Sequence, residues 1–204
     1  MDYTTVARVK LEMHASANTD DALLATLVTA ASRAIDRKCC GVPDAVDYFK
    51  LEDITSEKLE GLVDYTGEQI ICYPHKPIVN SVSSFTFQKN IVNTSYTVDA
   101  SRIETSGPRV TAYPSTMPLD FPSKCLVTMN YNGGLGVTSG SLPDDLQEIA
   151  TILTVRFYRE AETGLADQIG VAEMSTMIYT KAWPIRCLEQ IQPYIRRVGW
   201  RHTA

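Results

Sequence analysis

Apolar residues recur along this chain at two different periods, and the change of period divides it. Val6, Val9 and Met13 share one helical face, which predicts a short helix over residues 4–13. The polar run 16–19 breaks it. Asp20, or Thr19 before it, is suited to cap a second helix, with Asp21 near the positive end. Leu24, Leu27, Val28, Ala31 and Ile35 give that helix a clean stripe, and Gly41 closes it. From 42 to 140 the pattern shortens toward alternation. Runs of β-branched and aromatic residues at 69–73, 78–88, 95–98, 109–113 and 125–131 predict strands, and seven of the ten prolines punctuate this region. Gly133, Gly134 and Gly136 predict a flexible exit from it. Helical spacing returns after Pro143, Asp144 and Asp145, where Leu146, Ile149, Ala150, Leu153 and Phe157 share a face and Gly164 is the expected stop. Residues 165–181 are ambiguous, with a short strand or a loop at 175–179. Pro184 opens a last helix carrying Ile185, Leu188 and Ile191, which Pro193 ends or kinks.

These elements predict an α+β fold. Its plan is a small helical bundle, residues 1–41 and 141–204, interrupted by an inserted β-sandwich or barrel-like module at 42–140. With 204 residues the chain can build one good core or two small ones. A hydrophobic share of 44% beside 21% charged residues fits a folded domain rather than a disordered one. No apolar run approaches the ~20 residues of a membrane helix, and the first residues lack a signal pattern. A cytosolic chain with no membrane partner is expected. Cys39, Cys40, Cys72, Cys125 and Cys187 are odd in number and two are adjacent, so they read as reduced, buried thiols. Three histidines far apart in sequence argue against a zinc site.

Charge sharpens the picture because it is uneven. The net value is −5, yet residues 184–204 hold four arginines against Glu189. Between 44 and 68 lie Asp44, Asp47, Glu52, Asp53, Glu57, Glu60, Asp64 and Glu68, balanced only by Lys50 and Lys58. They read as solvated loop residues. A basic end on an acidic body suggests a matched partner for each, although acids also serve simply to keep a surface soluble.

Catalytic patterns are weak. The glycine cluster at 133–136 lacks the Gly-Lys-Ser/Thr ending of a phosphate loop, and acids open the next helix where an anion would sit. The acids at 44–68 would need to be perturbed in a cleft to work as a hydrolytic pair. No serine elbow and no Cys–His pairing is evident, so no enzyme, cofactor or metal is expected. The run Pro193-Tyr194-Ile195-Arg196-Arg197-Val198-Gly199-Trp200-Arg201 mixes arginine with aromatic residues. It would suit nucleic acid by phosphate contact and stacking. It suits a protein groove better, since the chain as a whole is acidic and Arg, Tyr and Trp are favoured interface anchors.

Several segments, in order, resemble the head–tail connector (adaptor) proteins of tailed phages. They are Thr19-Asp20-Asp21-Ala22-Leu23-Leu24 leading to Ala30-Ala31-Ser32-Arg33-Ala34-Ile35-Asp36 and Cys40-Gly41; Pro77-Ile78-Val79-Asn80-Ser81-Val82; Val127-Thr128-Met129-Asn130-Tyr131-Asn132-Gly133-Gly134 before Leu142-Pro143-Asp144-Asp145-Leu146; and Leu188-Glu189-Gln190-Ile191-Gln192-Pro193-Tyr194-Ile195-Arg196-Arg197. The last resembles a terminal Leu-x-Pro-Tyr-Arg-Arg signature with Ile195 inserted. Residues 42–68 depart from compact members, which shorten or lack them.

The resemblance implies a structural component of the virion neck, assembled in the host cytoplasm. It would form a ring of copies matched to a twelvefold portal protein, extend the DNA channel and present a surface to tail or stopper proteins. Double-stranded DNA would pass without specific binding. On that reading Asp44, Asp47, Glu52, Asp53, Glu57, Glu60, Asp64 and Glu68 are channel-lining candidates, because like charge keeps DNA from sticking. Tyr194, Arg196, Arg197, Trp200 and Arg201 are portal-docking candidates, and Arg33, Arg37, Arg156 and Arg159 are subunit-contact candidates. The alternatives are another neck component, such as a tail-completion or stopper protein, a cytosolic nucleic-acid-binding protein using the arginine tail, and a hydrolase.

Overall fold

The protein is described by a computed structural model over residues 1–15, 20–42, 45–88, 94–115, 123–162, 168–169, 177–178 and 183–196. The fold is α+β. Two compact units are present, residues 1–47 with 138–195 and residues 48–137 with 196–204.

In the first unit, α1 (Val6–Glu12) starts at Thr5, whose hydroxyl accepts from the Arg8 amide at 3.2 Å. α2 (Asp21–Cys40) ends at Gly41 in the left-handed conformation, φ 74°. α3 (Asp144–Glu162) packs against α2, and α1 lies against both. Val9, Leu24, Val28, Val155 and Tyr158 meet in one cluster, so two stripes distant in sequence close over a shared core. Asp20 does occupy the N-cap position of α2, but its side chain makes no capping bond. Instead Oδ2 accepts from the Tyr158 hydroxyl at 2.9 Å, tying α2 to α3. α3 buries Thr151, Thr154 and Tyr158 besides the expected leucine–isoleucine stripe, and Phe157 is only half-buried. The two threonine hydroxyls donate to carbonyls four residues back, which lets them sit in an apolar interior.

α4 (Ile185–Ile191) differs from the expected face. Cys187 and Ile191 are buried, whereas Ile185 is 76% exposed. A 3-10 turn, Gln192–Tyr194, follows it at Pro193. Between α3 and α4, β8 (Gln168–Ile169) and β9 (Met177–Ile178) pair antiparallel. The expected stop at Gly164 lies outside the described residues.

The second unit is a seven-stranded antiparallel sheet. Its strands are β1 (Glu52–Val63), β2 (Ile70–Cys72), β3 (Val79–Gln88), β4 (Ser95–Val98), β5 (Ile103–Ser106), β6 (Arg109–Ala112) and β7 (Lys124–Gly133). They run in the order β4-β3-β7-β1-β2-β6-β5. The sheet curls into a nearly closed barrel around Phe85, Phe87, Val127, Met129, Leu59, Ile70 and Val110. The Val79 amide donates to the Gly107 carbonyl at 3.0 Å, linking β3 to the β5–β6 turn.

Two expectations for this region need correction. The segment 42–68 is not a solvated acidic loop, because it contains β1, the strand that pairs with both β7 and β2. A bulge between Ile54 and Glu57 adds one residue, with Ser56 at φ 55° donating its amide to Asn130 Oδ1 at 2.6 Å. The bulge moves the inward face from even to odd positions, so Ile54 and Leu59 cannot belong to one alternating pattern. The glycines after β7 are not a flexible exit either. The Gly134 amide donates to Ile78, the Leu135 amide to Phe49, and the Leu51 amide to Gly136. Gly134 has φ 120°, and a Cβ there would lie 2.2 Å from the Lys50 carbonyl oxygen. Close backbone approach, not mobility, requires glycine.

Candidate functional site

The acids of 44–68 are placed in several distinct settings. Asp44 lies outside the described residues. Asp47 belongs to the first unit, where its amide donates to Asp36 Oδ2 at 3.0 Å and its carboxylate meets the Met1 amine and Arg33 at 3.4 Å. Asp36 itself is fully buried and accepts from the Tyr3 hydroxyl. A subunit-contact candidate and a channel-lining candidate are therefore partners of each other within one chain.

On β1, alternation sorts the carboxylates. Glu57 pairs in register with Met129 and points to the barrel's buried side, its side chain only 10% exposed. The His75 amide donates to it at 3.2 Å, and the His75 ring Nδ1 touches the same oxygen. Burial alone would raise the pKa of Glu57. The bonds from His75, with the nearby Tyr131 hydroxyl contributing less, outweigh it and hold the carboxyl below its usual range. Glu52 is clamped by Lys76 at 2.7 Å and Lys50 at 3.1 Å; burial is the largest single influence and raises its pKa, but the two ammonium groups together outweigh it and lower the pKa.

Asp53 is exposed and accepts from Asn132 at 2.8 Å, Glu60 pairs with Lys124, and Glu68 is exposed. Asp64 organises the β1–β2 turn, with the Gln69 side chain and then Thr66 and the Tyr65 amide lowering its pKa. Solvent therefore meets Asp53, Glu60 and Glu68, whereas Glu57 faces inward.

The docking candidates divide similarly. The Tyr194 hydroxyl donates to both oxygens of Asp145, at 2.8 and 2.7 Å, within the first unit. Burial and that carboxylate push its pKa well up. Arg196 belongs to the second unit, where its guanidinium donates to the Tyr73 carbonyl at 2.7 Å while Nε is buried and has no hydrogen-bond partner among the described residues. Arg197, Trp200 and Arg201 lie outside the described residues. Among the subunit-contact candidates, Arg156 donates to Glu160 at 2.9 Å along α3, whereas Arg37 and Arg159 are exposed. Sequence reasoning missed Glu57–His75 and Asp47–Arg33. The first joins two elements 18 residues apart, with no local spacing to mark it. The second crosses the end of α2.

The thiols are buried, and burial raises the pKa of Cys39 and Cys72 to about 12, that of Cys125 to about 11, and that of Cys187 as well, so these four are poor nucleophiles. Among the described residues no group of three or more His, Cys, Asp or Glu side chains is arranged to hold a metal ion. Among the same residues no helix is long and apolar enough to cross a membrane.

No protein-family model matches the chain, and no curated protein matches it. Among solved structures, it is similar to a chain from the neck of an empty gene transfer agent particle computed with C6 symmetry. That likeness covers 98% of this chain and 93% of the other, at 16% identity and a TM-score of 0.51. It is also similar to a chain from the neck of the native particle computed with C12 symmetry, over 98% and 93% of the two chains, at 17% identity and a TM-score of 0.50. At such identities the likeness is one of fold.

Proposed function

We propose that this chain is a head–tail connector (adaptor) of a tailed phage, a non-enzymatic component of the virion neck that forms a twelvefold ring beneath the portal protein. The observation that carries the reading is the shared fold. Packed helices bracket a β-barrel-like module, and the likeness to neck chains extends over nearly the whole of both chains. In this reading residues 1–41 and 141–204 are the helical adaptor core and 42–140 an inserted β module. The ring extends the DNA channel and offers a surface to tail or stopper proteins.

The placement of side chains refines the roles. Asp53, Glu60 and Glu68 are exposed and would line the channel together with Asp64, repelling DNA. Tyr194 and Arg196 root the C-terminal arm on its own chain, leaving Arg197, Trp200 and Arg201 as the portal-docking groups. Arg37 and Arg159 are exposed and would meet acids of the neighbouring copy.

A pull-down with portal protein tests the assignment. The full chain is expected to bind, and the triple variant Arg197→Ala, Trp200→Ala, Arg201→Ala to lose binding with an unchanged circular dichroism spectrum. Undiminished binding by the triple variant would remove the docking role. Absence of binding by the full chain would count against the connector reading itself.

A further inference from the structure

Among the described residues, Tyr65 is the most exposed large apolar side chain, at 96%. Its turn is closed by hydrogen bonds. Asp64 accepts from the Tyr65 amide at 2.8 Å, the Thr66 hydroxyl at 3.0 Å and the Gln69 amide group at 3.1 Å, and the Gly67 amide closes back onto the Asp64 carbonyl at 2.9 Å. An aromatic ring held out on a preorganised turn loses little entropy when it inserts into a partner. At that exposure it contacts almost nothing of its own chain.

The same β unit carries a socket of suitable size. A pocket of about 340 Å³ on the β5–β6 hairpin is lined by Glu104, Thr105, Ser106, Arg109, Thr111 and Tyr113. Thr111 forms a buried floor opposite Glu104 in register, and Tyr113 donates to Glu104 at 3.1 Å. A phenol entering it would meet the Tyr113 ring, the Arg109 guanidinium for a cation–π contact, and the Glu104 carboxylate as acceptor for its hydroxyl. The turn carries two acids, Asp64 and Glu68, and Arg109 is the cation of the socket that can meet them, while the socket's own acid, Glu104, is engaged by the Tyr113 hydroxyl.

We propose that Tyr65 of one copy inserts into the pocket floored by Thr111 of a second copy. Tip and socket are different surfaces, so each copy can give its tip to one neighbour and its socket to another, and a contact repeated in this way closes into a ring when the rotation allows. The proposal rests on the reading that copies of this chain assemble with one another, and names one contact of that assembly.

Sedimentation velocity with complementary variants tests it. Tyr65→Ala keeps the socket, and Ser106→Trp fills the socket but keeps the tip. Each is expected to weaken self-association at least about thirtyfold, while an equimolar mixture forms heterodimers and nothing larger. Both positions are exposed, so thermal melts should match the parent chain. Tyr65→Ala that associates like the parent overturns the contact, as does a mixture of the two variants that stays monomeric. A parent chain that is monomeric at every concentration also overturns it. Portal binding, measured separately, decides whether the connector reading falls with it.

Discussion

The two units differ in how much of their order the backbone carries. In the helical unit, single side chains reach across long stretches of sequence to close the core: Tyr3 to Asp36, Thr4 to Thr151 at 2.7 Å, and Tyr158 to Asp20. In the β unit, the backbone carries most of the order, through seven paired strands, one bulge and a glycine against which the Lys50 backbone packs. Helices satisfy their own amides and carbonyls, so their packing is adjusted by side chains. Strands satisfy theirs only through neighbours, so register and close approach decide the fold. A change of backbone should therefore damage the β unit most, and a change of one buried polar group the helical unit.

That contrast can be broken at four positions. Gly134→Ala should be the most damaging, at about 4 kcal/mol, because it sets a Cβ against the Lys50 backbone at a φ that L-residues avoid. Urea unfolding measures the loss, and a change under about 1 kcal/mol would show that the backbone can yield there. Asp36→Asn should cost about 2–3 kcal/mol by weakening a buried, charge-assisted network. Hydrogen exchange should then rise in residues 1–4 and 45–47 while β1, β3 and β7 stay protected; uniform change across both units would contradict the separation.

Glu57→Gln should cost about 1–2 kcal/mol at neutral pH. The folded Glu57 carboxyl is held below its usual value, so its stabilisation is complete above about pH 4.3 and is lost as pH falls through the lowered folded pKa. The variant should accordingly show a flatter acid limb in stability against pH, and an unchanged limb would deny Glu57 this role. Gly41→Ala should cost only about 1 kcal/mol, since its left-handed conformation disfavours alanine but none of the described residues lies within 4 Å of the new Cβ. Equal damage at Gly41 and Gly134 would erase the difference between the units.

The same physics explains what could be read from residues alone. α2 and α3 were legible because Leu24, Val28, Ala31 and Ile35, and Leu146, Ile149, Ala150 and Leu153, each keep one helical face over their whole length. β3, β4, β6 and β7 stand out as β-branched and aromatic runs within a residue or two of their ends. β1 was hidden because its bulge reverses the inward parity between Ile54 and Leu59, and because its outward positions are charged. β5 is short and mostly exposed, with no apolar alternation to mark it. α4 was turned because a buried cysteine, Cys187, outranks the exposed Ile185. At the candidate sites the residue types were readable but their partners were not. Arg33 with Asp47, Tyr194 with Asp145 and Arg196 with the Tyr73 carbonyl all depend on the folded chain, and no short motif encodes them.

The connector reading is tested most directly by a cryo-EM reconstruction of the neck assembled from this chain and its portal protein. The account predicts a closed ring of this chain directly beneath the portal, with Asp53, Glu60 and Glu68 facing the central channel. A reconstruction with no such ring, or with this chain bound elsewhere on the particle, would contradict it.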